Sequence, residues 1–228
     1  MIRDIFFDLD NTLLDFDLSE KRAIALTLKH VGAQDSEQNI SLYSRINLSQ
    51  WKLFEKGEIT LERLRVRRFG LLFDALGIDA DARMAMLYYG DRLGEGYFLK
   101  QGAVEVLDEL FRKYRLHVAS NGIARTQYSR LKGSGLDKYF ENVFISEEIG
   151  YPKPDVRFFE HCFSAIHDFE KSAAVMVGDS LSSDILGGKN AGITTILIGD
   201  MPAKDGAPAS PDHCIESLYD LPSLLQTI

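Results

Sequence analysis

Ile2-Arg3-Asp4-Ile5-Phe6-Phe7-Asp8-Leu9-Asp10-Asn11-Thr12, at the head of a 228-residue chain, is the stretch that decides the fold. Ile2, Ile5, Phe6 and Phe7 run straight into Asp8, which reads as a buried strand ending in carboxylates. Asn11 tolerates the left-handed backbone that a chain needs to break away from such a strand. Outward from there the pattern changes, then changes back. From about residue 18 to residue 98, Ile24, Leu28 and Val31 recur at helical spacing, as do Leu64, Leu71, Leu72 and Ala75. No strand pattern intervenes, and Thr60 is a natural N-cap for the helix containing Leu61 and Leu64. After Gly102, helices predicted over 104–113, 124–132, 156–166 and 181–190 each lead into a strand, at 116–119, 143–146, 174–177 and 195–198. Such alternation builds right-handed βαβ units and a parallel sheet. Gly192 ends the last of these helices, and Gly187-Gly188 inside it weakens the helix while permitting close packing against the sheet. Residues 199–211, rich in Gly, Pro, Asp and Ala, read as a surface loop. The expected fold class is α/β. A doubly wound parallel-sheet core over residues 1–14 and 99–228 is interrupted at 15–98 by an inserted four-helix domain.

Composition narrows the partners. An apolar share of 45% with 26% charged residues is ordinary for a packed globular chain. A net charge of −8 disfavours any nonspecific grip on nucleic acid or an anionic membrane. No apolar run approaches the ~18 residues that span a bilayer, and the first residues lack a basic segment followed by an apolar one. Cys162 and Cys214 lie far apart and outside any CxxC spacing, so they read as buried free thiols rather than zinc ligands. The expectation is a cytoplasmic protein, monomer or weak homodimer, with neither a nucleic acid polymer nor a membrane as partner.

In open α/β sheets, ligands bind beyond the carboxyl ends of the strands. Four segments bring polar residues there: Asp8-Leu9-Asp10-Asn11-Thr12, Ser120-Asn121-Gly122, Gly150-Tyr151-Pro152-Lys153-Pro154-Asp155, and Gly178-Asp179-Ser180-Leu181-Ser182-Ser183-Asp184. Asp8 and Asp10 are two residues apart, so on a continuing strand their carboxylates would point the same way and repel. A divalent cation relieves that repulsion, and hard oxygen ligands suit Mg²⁺. Asp179 and Asp184 can complete the acidic cluster. One carboxylate of the pair can attack phosphorus, while the other protonates the leaving alcohol and later activates water. Ser120, Asn121 and the Lys153 ammonium supply donors and positive charge for phosphoryl oxygens. Pro152 and Pro154 stiffen the backbone on either side of Lys153. Taken singly, each piece has a plainer reading: an acidic turn, a tight turn at Gly122, a solvated lysine, a helix cap at Asp184. Their convergence at the strand ends points to chemistry.

These four segments resemble, in order and spacing, the signature motifs of the haloacid dehalogenase-like (HAD) hydrolase superfamily. The helical insert between the first two resembles the cap of its subfamily I, which implies a HAD-like Rossmannoid core. That resemblance implies Asp8 as nucleophile and Mg²⁺ ligand, and Asp10 as general acid/base that binds the metal through its backbone carbonyl. It implies Thr12, Ser120, Asn121 and Lys153 as the phosphate-binding set. Asp179 would bind Mg²⁺ directly, and Asp184 directly or through water. Asn11 stands where Gly is frequent and Gln101-Gly102 where Pro-Gly is usual; neither removes a required functional group.

Phosphatases, dehalogenases and mutases share this fold, so function must come from the site. Haloacid dehalogenases lack the second acidic residue of the first motif, so Asp10 argues against dehalogenation; a phosphosugar mutase stays open. The stretch Trp51-Lys52-Leu53-Phe54-Glu55-Lys56-Gly57-Glu58-Ile59-Thr60 resembles the cap of the pyrimidine 5′-nucleotidase branch. Ser120-Asn121-Gly122-Ile123, followed by Gln127 and Arg130-Leu131, resembles it too. Pyrimidine nucleoside 5′-monophosphates are therefore the first substrate expectation. Sugar-acid phosphates, such as an acylneuraminate 9-phosphate or phosphoglycolate, come second. A phosphoacceptor signalling domain also gathers acidic residues and a lysine, but is shorter and carries no helical insert. Arg63, Arg65, Arg67 and Arg68 read as a solvated face, Trp51 as core of the helical insert, and the five histidines show no ligand spacing.

Overall fold

The computed structural model describes residues 1–199 and 207–228, and among them a single six-stranded parallel sheet is surrounded by helices. The strands are β1 (Asp4–Phe7), β2 (Arg115–Ser120), β3 (Asn142–Ile145), β4 (Ala174–Gly178), β5 (Thr194–Ile198) and β6 (His213–Ile215). They lie in the order β3-β2-β1-β4-β5-β6. Every residue of β1 is buried. Ile5 and Phe7 pack into one core with Val118, Val175 and Val177, under α5 (Ala103–Leu110) and α10 (Leu221–Leu225). Phe6 enters a second core with Ala119 and Met176, under α8 (Val156–Ser164) and α9 (Leu186–Ala191). Successive side chains point to opposite faces and both faces are covered, so the strand is apolar throughout rather than alternating. The chain builds outward from β1 through β2 and β3, then returns to β1's other side with β4. The order reverses at β1, and ligands bind at such a switch point.

The chain divides into two compact units. One comprises Met1–Asp15, Leu99–Ala124 and Leu131–Ile228; the other comprises Phe16–Phe98 and Arg125–Arg130. The second holds α1 (Phe16–His30), α2 (Glu37–Glu55), α3 (Leu61–Leu76) and α4 (Ala82–Gly94). Thr60 caps α3 as expected, its side chain accepting from Arg63 N–H at 3.2 Å. Two expectations for this unit fail. Trp51 is only half-buried and stacks edge-on against Phe54. The core face of α2 runs Ile40, Tyr43, Asn47 and Gln50, and Trp51 falls beside it. Arg68 is buried, although Arg63 and Arg67 are exposed. It lies on the i, i+4 ridge between Leu64 and Leu72, so helix geometry turns it inward. Its Nη1 donates to Asn47 Oδ1 at 2.8 Å and its guanidinium lies 4.8 Å from the Tyr89 ring centre. Asn47 in turn donates to Glu20, also at 2.6 Å like Ser44.

Elsewhere the boundaries shift by a few residues. Ser146 opens a short helix, α7 (Ser146–Ile149), instead of closing β3, and the helix expected over 181–190 is a π-turn at Leu181–Ile185 followed by α9. The Gly187-Gly188 reading is physical. A Cβ on Gly188 would stand 2.6 Å from Thr195 Cγ2, and one on Gly187 2.8 Å from a Phe159 ring carbon. Of the loop expected at 199–211, residues 200–206 lie outside the described residues. Cys162 is buried, while Cys214 is half-buried on β6. No described helix is long and apolar enough to cross a membrane.

Candidate active site

Asp8 stands where β1 ends. Its N–H still donates to Val177 O on β4 at 2.9 Å, so the side chain leaves the sheet at the switch point. Asn11 then adopts the left-handed conformation, with φ 58°, and its N–H reaches Leu14 O at 2.7 Å to close the turn. The Ser120-Asn121-Gly122 turn follows β2, with Ser120 Oγ accepting from Gly122 N–H at 3.1 Å. Asn121 grips Lys153 by its backbone: Nδ2 donates to Lys153 O at 2.9 Å, and Oδ1 accepts from Lys153 N–H at 2.8 Å. That clamp joins residues 32 apart in sequence, and nothing in either motif alone announces it.

Lys153 is fully buried, and its ammonium donates to Asp8 Oδ1 at 2.8 Å, to Asp184 Oδ1 at 2.6 Å and to the Ala119 carbonyl. Asp184 has two contacts of its own at this turn. Its Oδ2 accepts from Ser180 N–H at 3.1 Å, while Ser180 Oγ accepts from Ser183 N–H, so the carboxylate helps close the helix start as well as holding Lys153. Gly178, immediately before Asp179, makes room for it: a Cβ there would lie 2.2 Å from Asp184 Oδ2. A glycine ahead of an acidic residue at a strand end was the available signal for that close approach.

Carboxylate oxygens of Asp8, Asp179 and Asp184 lie within 4.8 Å of one another. Asp10 is outside this trio, yet its charge acts on both Asp8 and Asp179. Burial, with the neighbouring carboxylates added, pushes Asp8 well above the usual carboxylate range even against the opposing pull of Lys153. Burial and then Asp184 push Asp179 up to about 7. Burial would lower Lys153, but Asp184 and Asp8 outweigh it and hold the ammonium charged. Three carboxylates thus gather beside one ammonium, which touches two of them, and the charge of Asp10 acts on the cluster. That deficit of positive charge, in an all-oxygen donor set, fits a hard divalent cation such as Mg²⁺. Thr12 is fully buried and its hydroxyl finds no hydrogen-bond partner among the described residues. Such a group costs about 1–3 kcal/mol, which fits a donor kept for a ligand oxygen.

Known proteins resemble this chain over most of its length. Residues 5–198 match the family described as haloacid dehalogenase-like hydrolase. Pyrimidine 5′-nucleotidase PynA from Streptococcus pneumoniae is 38% identical over 95% of this chain and 92% of its own length. N-acylneuraminate-9-phosphatase from Homo sapiens is 29% identical over 100% of this chain and 95% of its own. The crystal structure of the HAD-hydrolase YfnB from Bacillus subtilis, bound to magnesium, has a TM-score of 0.93 at 32% identity and covers 99% of each chain.

Proposed function

The chain belongs to the haloacid dehalogenase-like hydrolase family, and on that premise we propose that it hydrolyses phosphate monoesters through a phosphoryl group carried on Asp8, with pyrimidine nucleoside 5′-monophosphates as substrates. The observation that carries this reading is the buried Lys153 ammonium joining Asp8 to Asp184 at the switch point of the sheet. Lys153 holds one carboxylate oxygen of Asp8, which leaves the other for in-line attack on phosphorus. The ester oxygen departs with the bonding electrons and takes the Asp10 proton. Asp10, now a base, takes a proton from water as that water attacks the phosphorus of the acyl phosphate. Inorganic phosphate leaves and Asp8 is regenerated. Thr12, Ser120, Asn121 and Lys153 hold the phosphoryl oxygens and neutralise their charge. The carboxylates of Asp8, Asp179 and Asp184, with the backbone carbonyl of Asp10, would hold Mg²⁺, which supplies positive charge against the transferring group.

The nucleotide preference rests on similarity to PynA and on the 51–60 stretch of the helical unit. Likeness to the N-acylneuraminate-9-phosphatase keeps a sugar-acid phosphate as the competing reading. The test compares kcat/KM for UMP, dUMP and dTMP with purine nucleotides, N-acetylneuraminate 9-phosphate, phosphoglycolate and hexose phosphates, all with Mg²⁺. Folded Asp8→Asn protein serves as the blank. A tenfold lead for the pyrimidine nucleotides, ~1.4 kcal/mol of transition-state discrimination, is the expected result. A tenfold lead for a sugar-acid phosphate would overturn the nucleotide assignment, and turnover by Asp8→Asn would overturn the mechanism.

A further inference from the structure

A pocket of about 480 Å³ lies at the amino ends of β1 and β2, and its lining includes Arg3, Phe111, Arg112, Lys113, Arg115 and Asp168. The proposed active site is at the other end of the same strands: Asp8 follows β1, and the Ser120-Asn121-Gly122 turn leads from β2 into α6 (Ala124–Ser134). At ~3.3 Å per residue, the chain from Arg3 to Asp8 puts roughly 16 Å of backbone between the two. All the lining residues belong to the sheet unit. The volume falls in the range of small-molecule sites, and the charge of the lining opposes that of the chain. Four lining side chains are cationic and one is anionic, on a chain whose net charge is −8.

How those cations are held decides what the pocket can bind. Backbone hydrogen bonds from Arg3 N–H to Ala173 O and from Arg115 N–H to Arg3 O, both 2.8 Å, fix the start of the sheet. The 167–168 segment steadies both guanidinium groups through its carbonyls: Arg3 Nη2 donates to Asp168 O at 2.6 Å and Arg115 Nη1 to His167 O at 2.7 Å. Carbonyls orient an arginine without cancelling its charge. Arg115 is neutralised by the buried Asp4 carboxylate at 2.6 Å. The remaining carboxylates are weaker partners. Glu170 stands 3.5 Å from Arg3 and Glu109 2.8 Å from Lys113, in exposed pairs worth little. Arg112 makes no ion pair among the described residues, and its guanidinium lies 5.7 Å from the Phe111 ring centre. Arg3 Nε is buried and finds no hydrogen-bond partner among the described residues, a donor that a ligand oxygen would satisfy. We propose that this pocket is a second binding site, separate from the catalytic one, for a small ligand bearing a phosphate group. A phosphate presents several acceptor oxygens and two negative charges, which the oriented fork of Arg3, the unpaired Arg112 and Lys113 meet together.

The experiment follows the backbone amide resonances of the full nitrogen-15-labelled chain, without divalent metal so that no ester is turned over. The titrants are inorganic phosphate, AMP and citrate at constant ionic strength, with NaCl as control. Saturable shifts at residues 111–115 and 167–169 are expected with both phosphate probes, resolved from any at 8–12 and 120–122. Equal affinity for the two makes free phosphate sufficient as occupant, while a clearly lower Kd for AMP makes the occupant a phosphorylated metabolite. Arg3→Gln and Arg112→Gln should each raise the Kd at the pocket roughly tenfold, the loss expected of one charge-assisted hydrogen bond. Neither should change the shifts at 8–12 and 120–122, nor phosphate release from p-nitrophenyl phosphate with Mg²⁺. The proposal is overturned by the absence of saturable shifts at the pocket with either phosphate probe, or by equal shifts with NaCl. Tighter binding of citrate than of phosphate, or an unchanged Kd in the variants, overturns it too. Arg112 is exposed, so Arg112→Gln keeps the comparison decisive if Arg3→Gln does not fold.

Discussion

Asp8 and Lys153 are in direct contact in the site, and both were legible from sequence because each sits in a contiguous motif. Their mutual distance was not, nor was the Asn121 clamp, since contacts across 145 and 32 residues leave no local periodicity to read. Thr12 poses the sharpest question at this scale. Its hydroxyl is enclosed without a partner among the described residues. Valine is close to threonine in shape but lacks that hydroxyl, so Thr12→Val should raise the melting temperature, by the equivalent of about 1 kcal/mol, through removal of an unsatisfied polar group. If the hydroxyl donates to a phosphoryl oxygen, the same variant should lose at least tenfold in kcat/KM. Thermal unfolding and phosphate release, measured on one preparation, separate these effects. A more stable and fully active Thr12→Val protein would strike Thr12 from the phosphate-binding set.

Glycines at the joints between elements do two different jobs that the sequence did not distinguish. Gly178 closes β4 where the Asp184 carboxylate lies, and Gly188 lets α9 approach β5. A methyl group at Gly178 would displace a side chain of the proposed metal and lysine cluster; one at Gly188 would meet Thr195 and Met176 in the packing of helix on sheet. Gly178→Ala should therefore abolish activity in whatever fraction folds. Gly188→Ala should destabilise by the ~1–3 kcal/mol typical of overpacking while its folded fraction keeps kcat. Denaturant titration with activity normalised to folded protein reads both. Equal retention of kcat would mean that Asp184 tolerates displacement. Element identity was otherwise well signalled, β1 by its apolar run into Asp8 and the helices after it by their spacing. Three-residue β6 was not, having no room for one, and Arg68 was misjudged because composition said charged while position on the 64–68–72 ridge said core.

At the scale of the whole molecule, the end of the sheet opposite the proposed active site contains a buried histidine, His117. Its Nε2 lies 3.0 Å from Asp4 Oδ1, its Nδ1 lies 3.1 Å from Asn142 Nδ2, and Arg115 donates to the other Asp4 oxygen at 2.6 Å. If the Asn142 amide donates to Nδ1, then Nε2–H donates to Asp4 and the ring is neutral with both nitrogens satisfied. Burial lowers the His117 pKa, and it prevails over the opposing pull of Asp4 and Glu141, with Arg115 adding to the lowering. The unfolded chain therefore binds this proton more readily than the folded one. His117's contribution to stability is complete above its unfolded value, near 6.5, and is lost as pH falls through the lower folded value. Glu20, Asp8 and Asp179, all raised by burial, work in the other sense above the ordinary carboxylate range, so the raw pH profile mixes these contributions. The variant difference isolates His117. Between pH 7 and pH 5 the melting temperature of the wild-type protein should fall more steeply than that of His117→Gln, whatever the offset between them. Parallel curves would show that His117 keeps its unfolded affinity for protons, and with it that the Asp4–His117–Asn142 arrangement does not favour the neutral ring.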